Sequence, residues 1–154
     1  MSADQQERLF LDDLSVGQTF TSASHALDVG QIKRFAAEFD PQPFHLDEAA
    51  ARESVFGRIA ASGWYTAALS MRLLVDGELT IAGGLIGLGC EMTWPRPTYP
   101  GDTMHVETEV LAIRVSESKP DRGIVTARNV TLNQRGEPVQ IMVVKMLVPQ
   151  RPRG

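Results

Sequence analysis

The chain is predicted to adopt an α+β fold in which a curved antiparallel sheet wraps around one long central helix. Two observations carry this. Residues 63–75, GWYTAALSMRLLV, are apolar nearly all round, interrupted only by Thr66, Ser70 and Arg72, and such a helix is buried on most of its sides. From residue 83 the pattern changes to period two, and four strand-like segments follow in meander order with turn residues between them. A sheet curled around the helix buries both.

The elements read as follows. Residues 1–15 form a polar lead-in, and residues 16–150 form the single domain. Val16 to Leu27 alternates loosely and reads as a first strand. Asp28 with Gln31 three later resembles a capping box and starts a helix over about residues 29–38. Ile32, Phe35, Ala36 and Phe39 lie on its apolar face. Asp47 caps a second helix through EAAARES, and FGRIAA reads as a loop. Ser62 caps the central helix and Gly77 stops it. In GGLIGLGCEMTW, residues Ile86, Leu88, Cys90, Met92 and Trp94 share one face, with Gly87 and Gly89 on the other, open to close approach. In DTMHVETEVLAIRVSE the alternation slips at Val110–Leu111, the mark of a bulge. GIVTARNVTLNQ and PVQIMVVKMLV are strands joined by the turn NQRGEP.

Composition narrows the function classes. The chain has 154 residues, 43% apolar and 22% charged, with a net charge of −4. That offers no basic surface for nucleic acid, and no apolar run is long enough to span a bilayer. Cys90 is the only cysteine, so no intrachain disulfide forms. The start, MSADQQERLFLDDL, lacks the apolar core of a signal peptide. The expectation is a protein of a reducing compartment, the cytoplasm. No metal or cofactor is expected, because the three histidines lie far apart without paired spacing.

The segment FDPQPFHLDEAA, Phe39 to Ala50, holds an acid, Asp40, and an imidazole, His45, on a stretch with two prolines. Asp40 and Gln42 each precede a proline, which biases both toward extended backbone. Five fully extended residues would separate Asp40 from His45 by roughly 15 Å, so the chain must turn between them if they act together.

Three stretches resemble the MaoC-like dehydratases, the group of (R)-specific enoyl-CoA hydratases with the hot-dog fold. FDPQPFHLDEAAA is similar to the family's D-x-N-P-[apolar]-H pattern at Asp40, Pro43, Phe44 and His45. FGRIAASGWYTAAL stands where the family has a small-residue run, then His-Gly, then the central helix. WPRPTYPGDTM resembles the family's P-x-x-P-G-D turn. The likeness runs over about residues 15–148 and departs at Gln42 for Asn, at Phe39 for Gly and at Ser62 for His.

The resemblance implies hydration of trans-2-enoyl thioesters, or the reverse dehydration, by Asp40 and His45 around one water. The two side chains are expected within about 5–6 Å, room for that water. The Gly63 backbone N–H, at the positive end of the central helix, is expected to meet the thioester oxygen. Gln42, Ser62, Trp64 and Tyr65 are expected to border the substrate. Of these, Gln42 holds the turn through backbone hydrogen bonds, Ser62 serves as a cap, and one of the two aromatics lines an acyl pocket. Arg58, Arg96 and Lys145 are candidates for a nucleotide by charge alone. His25 and His105 read as strand residues on a solvent or dimer face. The expected partners are an acyl-CoA or acyl carrier protein thioester and a second copy of the chain. Two alternatives stand beside this: a hot-dog thioesterase, against which the central helix carries no acid before Asp76, and a non-catalytic acyl-thioester binding module.

Overall fold

The computed structural model describes residues 7–153. Four α-helices fill the middle of the chain: α1 (Val29–Phe39), α2 (Pro43–Leu46), α3 (Glu48–Arg52) and α4 (Gly63–Val75). Two short strands, β1 (Thr19–Thr21) and β2 (His25–Ala26), precede them, and four long ones follow: β3 (Ile86–Thr93), β4 (Thr103–Val115), β5 (Arg122–Leu132) and β6 (Pro138–Pro149). The antiparallel sheet runs in the order β1-β4-β5-β6-β3, with β2 also on β4, and it curves around α4 as expected.

The meander expected for the last four strands is corrected at β3. That strand pairs with β6, at the far side of the sheet from β4. A hairpin needs a tight turn between neighbouring strands. The segment after β3 instead holds Pro95, Pro97 and Pro100, and it crosses the mouth of α4, where Thr98 O accepts from Ala61 N at 2.8 Å. The turn between β5 and β6 is the compact one: Gly136, at φ +72°, donates to Asn133 O, a conformation that side-chain-bearing residues rarely adopt.

Other expectations changed in detail. The first strand is broken into β1 and β2, and Ser22 between them bonds the β4 backbone at Val106 in both directions. Residues 7–15 of the expected lead-in are docked: Leu9 bridges Ile81, and Leu11 and Leu14 enter the core. Residues 1–6 of that lead-in lie outside the described residues. The β4 bulge falls where the alternation slips, between Val110 and Ala112. On α1, Ile32 and Ala36 are buried, but Phe39, at the frayed end, is 69% exposed.

The helix expected to be buried nearly all round is not. Tyr65, Thr66, Ser70, Leu73 and Leu74 are buried, whereas Trp64, Met71 and Val75 form an exposed stripe. Strand β3 is exposed along almost its whole length, and a register shift between Gly87 and Gly89 breaks its alternation. Among the described residues nothing lies within 4 Å of the position a Cβ would take at either glycine, so the expected close approach is not made by them.

Among the described residues no helix is long and apolar enough to cross a membrane, and no three His, Cys, Asp or Glu side chains are grouped to hold a metal ion.

Candidate active site

The segment that begins at Asp40 folds back on itself. Helix α1 ends there because Pro41 cannot follow a helical residue comfortably, and Asp40 adopts φ −151°, ψ 66°. Gln42 N donates to Asp40 O at 2.7 Å, closing a turn about Pro41. Pro43, with its φ already suited to a first helical position, opens the single turn of α2. His45 is thereby carried back over Asp40.

The two side chains touch directly. His45 Nε2 lies 3.2 Å from Asp40 Oδ2, within the 5–6 Å expected, and leaves no gap for a water between the two atoms. The water-bridged arrangement is corrected to a contact pair, because a turn and one helical turn, rather than extended chain, join the residues. His45 is 5% exposed. Its Nδ1 stands 2.6 Å from Ala60 O, an acceptor with no proton to give, which assigns a proton to Nδ1. The Phe44 ring meets the imidazole edge-on at 4.6 Å.

Asp40 accepts hydrogen bonds from two side chains. Gln42 Nε2 donates to Oδ1 and Ser62 Oγ donates to Oδ2, each at 2.7 Å. Burial pushes the Asp40 carboxyl up, but the hydrogen bonds from Ser62 and Gln42 and the nearby imidazole outweigh it, so it sits below the ordinary carboxylate range. Gln42 therefore grips the carboxylate with its side chain, where a bond to backbone was expected. Ser62 is a cap, since Oγ accepts from Trp64 N at 3.2 Å, and also a partner of Asp40.

A cavity of about 370 Å³ opens beside the pair, bordered by Asp40, His45, Gly63, Trp64, Trp94 and Thr98 among others. Gly63 begins α4 there, and no hydrogen bond runs from its N–H to another described residue. A Cβ at this position would lie 2.7 Å from Trp94 Cε2, so glycine is required by the indole packed on it. Trp64 meets Trp94 edge-on at 5.2 Å. Tyr65 does not reach the cavity: it is buried against Phe35, and its hydroxyl donates to Gln31 Oε1 at 3.2 Å. Adjacent helical positions diverge by about 100°, so only one of the two aromatics can face the site.

Of the three basic candidates, Arg96 borders the cavity and pairs with Glu137 at 3.2 Å. Arg58 lies over the Tyr99 ring at 3.7 Å, and Lys145 is exposed on β6. The sequence reading missed Ala60 O, Thr66, Thr98 and the Trp94 indole. Thr66 had a signal, as a polar residue four after Ser62 and four before Ser70 in an otherwise apolar helix. A backbone carbonyl such as Ala60 O leaves none.

A family model described as the MaoC like domain matches residues 13–133. The uncharacterized protein YdeM of Bacillus subtilis is 37% identical over 132 residues, covering 81% of this chain and 88% of that protein. The (R)-specific enoyl-CoA hydratase of Aeromonas caviae is 32% identical over 117 residues, 68% of this chain and 84% of that one. The crystal structure of the MaoC-like dehydratase from Rhodospirillum rubrum superimposes with a TM-score of 0.92 at 61% identity, covering 94% of this chain and 99% of that one.

Proposed function

Because the chain belongs to the MaoC-like domain family, we propose that it hydrates trans-2-enoyl thioesters to 3-hydroxyacyl thioesters, or catalyses the reverse. The observation that carries this is the Asp40–His45 contact at 3.2 Å, facing a cavity that also holds the start of α4.

Hydration puts OH on Cβ and H on Cα, so the site must take one proton from water and deliver one to Cα. Asp40, ionised, takes the proton from water, and His45 delivers the Nε2 proton to Cα. The proton on Asp40 then passes to His45 Nε2 across their 3.2 Å contact, which returns the pair to its starting state. A carboxylate held this low is a weak base at rest. It therefore acts in concert with attack on Cβ, as negative charge builds on the thioester oxygen. The Gly63 N–H and the positive end of α4 receive that charge. Gln42 and Ser62 hold Asp40 in register, and Trp64 walls the acyl group.

The reading includes a homo-oligomer. The exposed stripe of α4 and the unpaired edge of β3 are both apolar, with Trp64 61% and Leu88 55% exposed, and Trp64 meets Trp94 just past the end of β3. A second copy would cover both and close the sheet edge. Against a thioesterase stands the lack of any acid within α4: Asp76 lies at its far end, bonded to Arg72 at 2.6 Å. The test is loss of the conjugated enoyl-CoA chromophore. Loss accompanied by release of free CoA thiol would mark a thioesterase, loss without free thiol marks hydration, and neither signal with acyl-CoA bound would mark a binding module.

A further inference from the structure

We infer that the site accepts short acyl chains and rejects long ones, because the inner wall of its cavity is a hydrogen-bonded polar layer. The inference rests on the enoyl-thioester reading and adds to it the class of acyl group.

The inner wall is built from α4 and the segment after β3. Thr66 and Thr98 border the cavity with their hydroxyls 3.0 Å apart, and they are 1% and 3% exposed. One helical turn further, Ser70 Oγ donates to Thr66 O and lies 2.7 Å from Thr131 Oγ1 on β5. Trp94 Nε1 donates to Gln140 Oε1 on β6 at 3.0 Å. Ser62, Thr66 and Ser70 thus present one polar line, four residues apart, to polar partners. Along α4, Ser70 falls between Leu69, packed on one apolar cluster, and Leu73, in the other.

A long acyl chain with its thioester at Asp40 and His45 would have to run past Thr66 and Thr98 to leave water. It would part the two hydroxyls, leaving Thr98 to face hydrocarbon in a buried site and Thr66 with only its 3.4 Å bond to Ser62 O. Two of the side walls are fixed: Phe44 and Phe56 pack at 5.2 Å between centroids, and Trp94 is held by Gln140. A short chain fits in front of the layer and disturbs nothing.

The chain's only two tryptophans, Trp64 and Trp94, both line this cavity, so intrinsic fluorescence reports its occupancy without turnover. Titration with butyryl-CoA and octanoyl-CoA is expected to give a Kd at least about tenfold lower for the shorter ligand, the scale on which a pocket discriminates by chain size. This opposes the ordinary trend, in which each buried methylene tightens binding. Crotonyl-CoA should likewise be hydrated faster than trans-2-octenoyl-CoA. The Thr66→Ala/Thr98→Ala double variant removes both hydroxyls together, leaving neither unpaired with the other, and should narrow the ratio. Wild-type protein that binds octanoyl-CoA as tightly as butyryl-CoA overturns the inference, as does an unchanged ratio in a folded double variant. Failure to bind either acyl-CoA overturns the enoyl-thioester reading and this inference with it. Tighter butyryl-CoA binding without crotonyl-CoA hydration overturns the hydratase reading and leaves the length limit standing.

Discussion

Ser62 Oγ donates to Asp40 Oδ2 at 2.7 Å while accepting from Trp64 N–H at 3.2 Å. One hydroxyl caps the central helix and steadies the carboxylate, so the proposed function joins stability and activity at this residue. Ser62→Ala is expected to lower unfolding stability by about 1 kcal/mol through the lost cap, and to lower turnover as well. Urea unfolding and hydration rate measured on one preparation check this; a loss confined to stability would separate Ser62 from Asp40 function.

The same contact sets a pH dependence. Burial raises the Asp40 carboxyl, and the donors Ser62 and Gln42 with the imidazole lower it further than burial raises it. Asp40 is thus ionised at neutral pH, and its acid limb in kcat/KM lies below the usual carboxylate value of about 4. Ser62→Ala removes one lowering contact, so the limb should move to higher pH. For stability the sign follows from a depressed carboxyl: the contribution is present above the unfolded value and lost as pH falls through the folded one. The stability advantage of wild type over Asp40→Asn should therefore shrink on acidification below about pH 4. An acid limb that stays in place in Ser62→Ala would refute the assignment.

Asp40→Asn keeps the shape and removes the proposed base. Turnover is expected to fall by about 10²–10⁴, and His45→Ala should be comparably severe. The double variant should be little worse than either single, because the pair works as a unit. Additive losses would mean that the two residues act in different steps.

Packing at Gly63 must be separated from the role proposed for its N–H. Gly63→Ala places a Cβ 2.7 Å from Trp94 Cε2, and the indole is tethered to Gln140. A cost of about 1–3 kcal/mol in unfolding free energy is expected, together with a changed tryptophan spectrum. Gly63→Pro carries the same Cβ and so cannot isolate the N–H. An amide-to-ester replacement at Gly63 deletes the donor without adding a side chain, and it should lower turnover by about 10²–10³. Normal turnover in the ester would place the oxyanion elsewhere.

Tyr65 faces the core, so Tyr65→Phe should cost about 0.5–1.5 kcal/mol of stability through the lost bond to Gln31, with turnover unchanged. A raised KM for enoyl-CoA would put Tyr65 back among the substrate contacts.

The exposed apolar surfaces of α4 and β3 predict self-association. Sedimentation of wild type should give a dimer or larger assembly at micromolar concentration, and Leu88→Lys, on the 55% exposed β3 position, should shift it toward monomer. A wild type that sediments as an active monomer would overturn the proposed partner.

The sequence by itself determined what depends on near neighbours in the chain. Asp28, Asp47 and Ser62 each accept from a backbone N–H two or three residues on, as their cap positions require. The apolar run of α4 and the bulge at Leu111 are written as local periodicity, and the spacing of Asp40 and His45 around two prolines marks the site. Tertiary structure decided whatever joins distant segments. Local alternation makes β3 a strand but does not choose between β4 and β6 as its partner; the crossing segment with Thr98 does. The Ser62–Asp40 bond spans 22 residues and the Trp94–Gln140 bond spans 46, so neither leaves a periodic signal. The apolar character of α4 foretells burial but not its agent. Within one copy the helix is covered on one side only, because a hydrophobic pattern records that surface leaves water and not which surface covers it.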